Sequence, residues 1–314
     1  MRKAAPPSRI DIGLQPGLKA PCRHCGRFRL CGRLDKDILC GEPAESASAR
    51  QAPADQRGRR LAVVREIFPD FAAALAACGQ GYNDSDIADV IAYKTALPVD
   101  QRQFAPEQAI NSILAVGLAA AEIRDRPLTV LDFGGGCGFH YFRVASTVRT
   151  SLRWAIVETT TMAQSASKLS QGRFQVFTEI AAAADALGRV DLVHASSSIQ
   201  YVPDPLETLT RLIALRPRYF GLLRFPAWGR PPLVGLQASP LSHNGIGPMP
   251  PNIQDRLITY PVSFTNFDDV MRIFGDYEIA MSTVSPSSTY ELRGQPVQGL
   301  SVIFRAKQVL KRPY

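Results

Sequence analysis

A β-branched apolar run, Thr129-Val130-Leu131, meets an acid at Asp132 and then glycine at positions 134, 135, 136 and 138. Such a run reads as a strand buried in a parallel sheet. Phe139 to Val148 carries a helical pattern. The unit is a strand, a tight glycine turn and a helix, which brings main chain up to a nucleotide at a helix N-terminus. The alternative is a glycine turn with a purely structural role.

Glycine spacing separates the nucleotide classes. A dinucleotide fingerprint is Gly-x-Gly-x-x-Gly, or Ala last, and its final small residue lets helix and strand pack closely. Counted from Gly134, that place belongs to Phe139, which is too large. The spacing present is Asp-x-Gly-x-Gly-x-Gly, from Asp132 to Gly138. A nicotinamide oxidoreductase is thereby disfavoured.

The chain has 314 residues, enough for one large domain or two small ones. Its apolar content of 46% and charged content of 20% are those of a soluble globular protein. No apolar run approaches the roughly 20 residues of a membrane span. The N-terminus is basic without an apolar core, so no signal peptide is expected. A cytoplasmic protein with reduced thiols is expected. Residues 1–60 hold 13 Lys/Arg against 6 Asp/Glu, and residues 61–314 hold 23 against 22. The basicity belongs to the tail, which argues against a broad nucleic-acid-binding face on the body.

Residues 1–60 show little periodicity and read as a disordered basic tail. Cys22 and Cys25 there form a half-site for zinc, with His24 nearby. Cys31 and Cys40 do not repeat the spacing, so no metal site is assigned. Residues 61–127 read as helical: two short helices over Leu61–Cys78 broken at Pro69, one carrying Ile87, Val90 and Ile91, and a stronger one. The last has Ile110, Ile113, Leu114, Gly117, Leu118 and Ala121 on one stripe.

Strand–helix alternation follows over 128–306, with strands expected at 129–131, 154–157, 174–177, 190–195 and 219–224. That rhythm indicates an α/β fold with a parallel sheet and helices on both faces. Residues 226–262, rich in proline, read as a long lid-like insertion. Two alternating segments, 277–283 and 298–306, complete a mostly parallel seven-stranded sheet with an antiparallel C-terminal hairpin at its edge. A short tail, 307–314, ends the chain.

The first motif resembles that of the class I S-adenosylmethionine-dependent methyltransferases. Further features extend the likeness: Gly81-Tyr82, Gly-Phe-His-Tyr-Phe from Gly138, Val157-Glu158, Ser197-Ser198-Ile199-Gln200-Tyr201, Tyr260-Pro261 and Phe264. Together, over about 61–306, these resemble a bacterial methyltransferase family often found beside surface-polysaccharide genes. The resemblance implies a Rossmann-like methyltransferase fold and S-adenosylmethionine as cofactor. Gly134, Gly135, Gly136 and Gly138 would let main chain approach the methionine moiety. Asp132 would hold the turn and approach the amino or ribose end. Glu158, 26 residues on, would accept from both ribose hydroxyls. Thr178 would border the adenine, and Ser196 would face the sulfonium.

Amino-methylating nucleic-acid enzymes of this superfamily carry Asn/Asp-Pro-Pro-Tyr/Phe after the fourth core strand. This chain has Ser-Ser-Ser-Ile-Gln-Tyr from Ser196, which looks like the small-molecule enzymes. A small-molecule or glycan acceptor, methylated on oxygen or nitrogen, is the leading reading. RNA methylation guided by the basic tail, and a non-catalytic cofactor-binding assembly protein, are the alternatives. A hydroxyl acceptor benefits from a general base. His140, opening the helix after the glycines, is the candidate. Tyr82, Tyr201 and His243 are candidates to meet the acceptor, whereas His194 reads as a hydrogen-bonded core residue. Hydrogen bonds to a charged group contribute roughly 1.5–3 kcal/mol. Glu158→Ala should therefore weaken S-adenosylmethionine binding about ten- to a hundred-fold by calorimetric titration; unchanged affinity refutes the assignment.

Overall fold

The computed structural model describes residues 62–98 and 106–308. Cys22, His24, Cys25, Cys31 and Cys40 lie outside the described residues. The described residues fall within one compact unit, Gln51–Tyr314. Among them, no helix is long and apolar enough to cross a membrane.

Five parallel strands form the centre: β2 (Leu128–Phe133), β3 (Leu152–Val157), β4 (Gln175–Phe177), β5 (Leu192–Ser196) and β6 (Tyr219–Pro226). Their spatial order, β4-β3-β2-β5-β6, reverses direction at β2 and β5. Ligands in open α/β sheets bind at such a switch, beyond the carboxyl ends of the strands. Side chains alternate across the sheet, as strand geometry requires. Val130, Trp154 and Leu192 face α3 (Pro106–Glu122) and α4 (Phe139–Ala145). Leu131, Ala155 and Val193 face α6 (Ile180–Leu187) and α7 (Pro205–Ala214). At the amino ends, the buried Asp191 accepts from both Arg126 guanidinium nitrogens at 2.6 and 2.7 Å and from Thr129 Oγ1 at 2.8 Å. The starts of β2 and β5 are thereby tied together.

The sheet has ten strands rather than seven. The expected antiparallel hairpin is present as β9 (Tyr277–Leu292) and β10 (Gln295–Ala306). Arg293 and Gly294 form its turn, with φ of 51° and 76°, the positive pair of a two-residue type I′ connection. It is not at an edge. β1 (Ala62–Phe68) pairs parallel with β9 and antiparallel with β7 (Leu233–Pro240), which pairs with β8 (Leu257–Phe264).

Three expectations are corrected here. Leu61–Cys78 is not two helices: Ala62–Phe68 is β1, and only α1 (Phe71–Cys78) is helical, capped by Asp70 accepting from Ala73 N–H. Val63 and Val64 suit a strand, but their partners lie far along the chain. The 226–262 segment is not wholly irregular, since β7 and most of β8 lie in it. Its prolines sit where strands tolerate them. Pro226 and Pro240 end strands, and Pro261 lies in the edge strand β8. α3 is rotated from its expected face as well. Ile110 and Leu114 are exposed, whereas Ala109, Asn111, Ser112, Ala115, Val116 and Ala119 are buried.

α2 (Ser85–Ala96) and α5 (Thr160–Ser170) cover the carboxyl end of the sheet through Ile87, Val90, Met162 and Ala166. α8 (Phe267–Ile273) opens at Asn266, whose side chain accepts from Asp268 N–H. Gly138 precedes α4 at φ 89°, and a Cβ there would lie 2.7 Å from the Phe174 ring. Gly172, at φ 77°, has nothing within 4 Å. Gly138→Ala should cost about 2–5 kcal/mol, combining left-handed strain with overpacking, and Gly172→Ala about 1–2. Urea unfolding followed by tryptophan fluorescence tests the pair; equal losses refute the packing account.

Candidate active site

A cavity of about 550 Å³ opens at the carboxyl ends of β2, β3, β5 and β6. Its floor is the glycine turn. Gly134 and Gly136 adopt φ of 69° and 57°. A Cβ on Gly134 would lie 2.2 Å from Ser198 Cβ, and one on Gly135 would lie 2.4 Å from Asp132 Oδ2. Only glycine lets this main chain sit so low, leaving backbone open to a ligand. Gly136 N–H donates to Glu158 Oε1 at 2.8 Å, and Thr159 N–H donates to Oε2 at 2.9 Å. The two expected motifs therefore meet in one hydrogen-bonded unit.

Gly134, Gly135, Gly136, His140, Glu158, Thr178, Ser196, Tyr82, Tyr201 and His243 all line the cavity. Asp132 and Gly138 are not among its lining residues. The Asp132 carboxylate is fully buried beneath Gly135, accepting from Trp154 Nε1 at 3.2 Å and facing His194 Nδ1 at 2.7 Å. Gly138 makes room for Phe174 instead.

His194 is the buried, hydrogen-bonded residue expected, yet it also belongs to a chain of polar contacts. Its Nε2 lies 2.9 Å from Ser112 Oγ, which lies 2.8 Å from Nδ1 of His140. Burial holds the His140 imidazole well below its ordinary pKa, helped by His194 and Arg224. It is therefore a neutral ring at the cavity wall, as a general base must be.

Tyr82 and Tyr201 meet at 4.9 Å between ring centroids, and Tyr260 joins them at 4.3 Å from Tyr82. Tyr201 Oη donates to Gln237 Oε1 and lies 3.0 Å from Tyr290 Oη. Gln237 Nε2 in turn donates to Tyr260 Oη. These aromatics form one wall whose rings are apolar and whose hydroxyls are mutually satisfied. Arg224 adds a positive charge. Its backbone is left-handed at φ 56°, and its guanidinium donates to Ser196 Oγ at 3.1 Å and Ser196 O at 3.2 Å. No carboxylate pairs with it among the described residues.

Ser112, Arg224 and Tyr290 escaped the sequence reading. The one signal was Asn111-Ser112, two polar residues inside an apolar helix.

Residues 104–224 match the family model described as Methyltransferase domain. Over that stretch the chain is similar to the methyltransferase family. The match spans the helix before the first core strand, the glycine turn, Glu158 and the Ser196 loop. Among curated proteins, none matches. Solved structures show a distant similarity. An S-adenosylmethionine-dependent methyltransferase from Clostridium acetobutylicum is 9% identical, covering 64% of this chain and 92% of its own, at a TM-score of 0.42. A 1,6-didemethyltoxoflavin-N1-methyltransferase from Burkholderia thailandensis, bound to S-adenosylhomocysteine, is 16% identical, covering 64% and 80%, at 0.40. A sugar N-methyltransferase from a Streptoalloteichus species is 14% identical, covering 65% and 89%, at 0.39.

Burial pushes the Glu158 carboxyl up to about 7, against the two N–H groups that favour its charged form. The unfolded group titrates near 4.3. Between these values the folded chain keeps a proton that the unfolded chain has lost, so stability falls as pH rises through the window. Glu158→Gln removes that slope. The wild-type unfolding free energy, relative to the variant, should drop by about 1–3 kcal/mol from pH 5 to pH 8. Parallel stability curves refute the shift.

Proposed function

We propose that the chain transfers a methyl group from S-adenosylmethionine to a small-molecule or glycan acceptor. One observation carries this reading: the Glu158 carboxylate grips Gly136 N–H at 2.8 Å on the wall of a 550 Å³ cavity. Such a carboxylate at the end of β3 suits a ribose diol, and main chain freed of Cβ atoms suits the amino-acid end of the donor. Thr178 stands on the adenine side, and Ser196 stands toward the sulfonium. The donor supplies an activated methyl group. The protein's own tasks are to align the acceptor and exclude water.

The acceptor lies against Tyr82, Tyr201 and Tyr260, with His243 at the rim. An aromatic wall with ordered hydroxyls suits a sugar or another flat, hydroxylated ring. Arg224 favours an acceptor carrying a carboxylate or phosphate. The resemblance to a family found beside surface-polysaccharide genes fits a glycan in this place. His140 stands as the general base for its hydroxyl.

Calorimetric titration tests the donor assignment directly. S-adenosylmethionine and S-adenosylhomocysteine should both bind at micromolar concentrations, and NADH should not. Failure of both adenosyl compounds at millimolar concentrations would sink the proposal.

A further inference from the structure

Four buried side chains run in single file from beneath the glycine turn to the cavity wall. Asp132 Oδ1 lies 2.7 Å from His194 Nδ1, His194 Nε2 lies 2.9 Å from Ser112 Oγ, and Ser112 Oγ lies 2.8 Å from His140 Nδ1. Asp132, His194 and Ser112 are fully buried, and His140 is 7% exposed. The file joins β2, β5, α3 and α4. Only its last member reaches the cavity.

With Asp132 ionised and both rings neutral, one arrangement of protons satisfies every bond of the file. An ionised Asp132 can only accept, so His194 carries its proton on Nδ1. A neutral His194 then has a bare Nε2, which takes the single hydroxyl proton of Ser112. Ser112 Oγ, having given that proton, accepts from His140 Nδ1–H. His140 Nε2 is thus left bare, with its lone pair free for a proton from the cavity. Ser112 Oγ also lies 3.1 Å from the Gln108 carbonyl, a second acceptor for the same proton.

We propose that Ser112, His194 and Asp132 are positioning residues that hold His140 as an Nε2 base and carry away the proton it takes from a hydroxyl acceptor. This rests on the methyl-transfer reading above and deepens it, because a hydroxyl must shed its proton as it is methylated. The step balances. The acceptor O–H bond breaks and its proton joins His140 Nε2, while the oxygen's electron pair forms the new bond to the methyl carbon and the S–CH₃ bond breaks, its electron pair staying on sulfur as the sulfonium becomes a neutral thioether. His140 Nδ1–H passes to Ser112 Oγ as the Ser112 proton passes to His194 Nε2. One positive charge ends on His194, against the Asp132 carboxylate. His140 ends neutral, with its proton on Nε2.

The charged groups around the file favour that destination. A charge on His140 would be desolvated and would face Arg224. On His194 it would face Asp132 at 2.7 Å, with Trp154 Nε1 completing the acid's contacts. Opposite charges at this distance in a low-dielectric interior attract strongly. The arrangement moves the charge from a poor site to a good one through two hydrogen bonds.

The test needs no acceptor. The chain has four histidines, so long-range proton–nitrogen spectra of uniformly 15N-labelled protein can be assigned by single His→Gln variants. At pH 7.5, His140 should show a protonated Nδ1 and a bare Nε2, and His194 a protonated Nδ1. Ser112→Ala should move the His140 proton to Nε2, the form a free imidazole prefers, while leaving S-adenosylhomocysteine affinity within about two-fold. A wild-type His140 protonated on Nε2, or a His140 form indifferent to Ser112→Ala, overturns the proposal. Ser112→Thr, which keeps the hydroxyl, should restore the wild-type pattern, and failure to do so counts against it. Binding of S-adenosylhomocysteine to the wild type tests the underlying reading separately. Its absence beside the expected spectra would refute methyl transfer and leave the proton file standing.

Discussion

A carboxylate with no exposure to water sits where three strands meet, and the rest of the site is arranged around it. Asp132 lies in register between Ile156 of β3 and His194 of β5. Burying a charge is expensive unless donors surround it. Here Trp154 Nε1 approaches from the strand on one side and His194 Nδ1 from the strand on the other. Its second oxygen lies where a Cβ on Gly135 would be. One group therefore fixes the distance between β2 and its two neighbours, the depth of the glycine turn and the ring orientation of His194. This also explains why an acid must end β2 although it does not touch the cavity. Its effect on any ligand is indirect, through the turn above it and the imidazole beside it.

The glycine turn and Glu158 were legible because they are local. Strand, acid, glycines and helix occupy Val130 to Phe142, and Glu158 ends the next strand. Each of these signals depends on residues within one β-α-β unit, where periodicity and turn chemistry act directly. The misreadings share a different cause. β1 is a strand because β7 and β9 lie on either side of it, and their residues are some 170 to 230 positions away in register with Val63 and Val64. A seven-residue segment cannot announce such a partner. α3 illustrates a third kind of error. Its most conspicuous hydrophobics, Ile110 and Leu114, face outward, while the polar Asn111 and Ser112 face inward. Hydrophobic periodicity finds a stripe but not which stripe is buried when polar groups have buried partners. Asn111 Nδ2 donates to Ser301 Oγ, and Ser112 meets two histidines.

The added strands do more than lengthen the sheet. β7 contributes Gln237 and Ser239, β8 contributes Tyr260 and β9 contributes Tyr290, all of them on the cavity wall. Tyr82 and Tyr201 were visible as candidates but gain their setting only from these partners. Lys94 of α2 fastens the same region. Its ammonium donates to the carbonyls of Ser242 and Asn244 at 2.6 and 2.9 Å, pinning the turn that carries His243 onto the helix. Burial lowers this lysine to about 8, so the clamp is charged at neutral pH. A lysine held by two backbone carbonyls positions a loop, and is not available as a nucleophile.

The two halves of the cavity thus rest on different physics. The glycine-turn side, proposed for the donor, is built mostly from backbone: a glycine turn, an N–H held by Glu158, and strand ends in parallel register. Backbone groups have the same chemistry whatever the side chains around them, so this half can be read from spacing alone. The acceptor side is built from side chains on strands far apart in sequence, with Arg224 and Ser197 both held at φ 56° where β5 and β6 end. Left-handed backbone at a non-glycine residue costs roughly 1–2 kcal/mol. Two such residues side by side, one of them aiming a guanidinium into the cavity, mark where the structure spends stability on geometry rather than packing. On the proposed reading, specificity for the acceptor is set on that side, by the positive charge of Arg224, the tyrosine wall and the His140 imidazole.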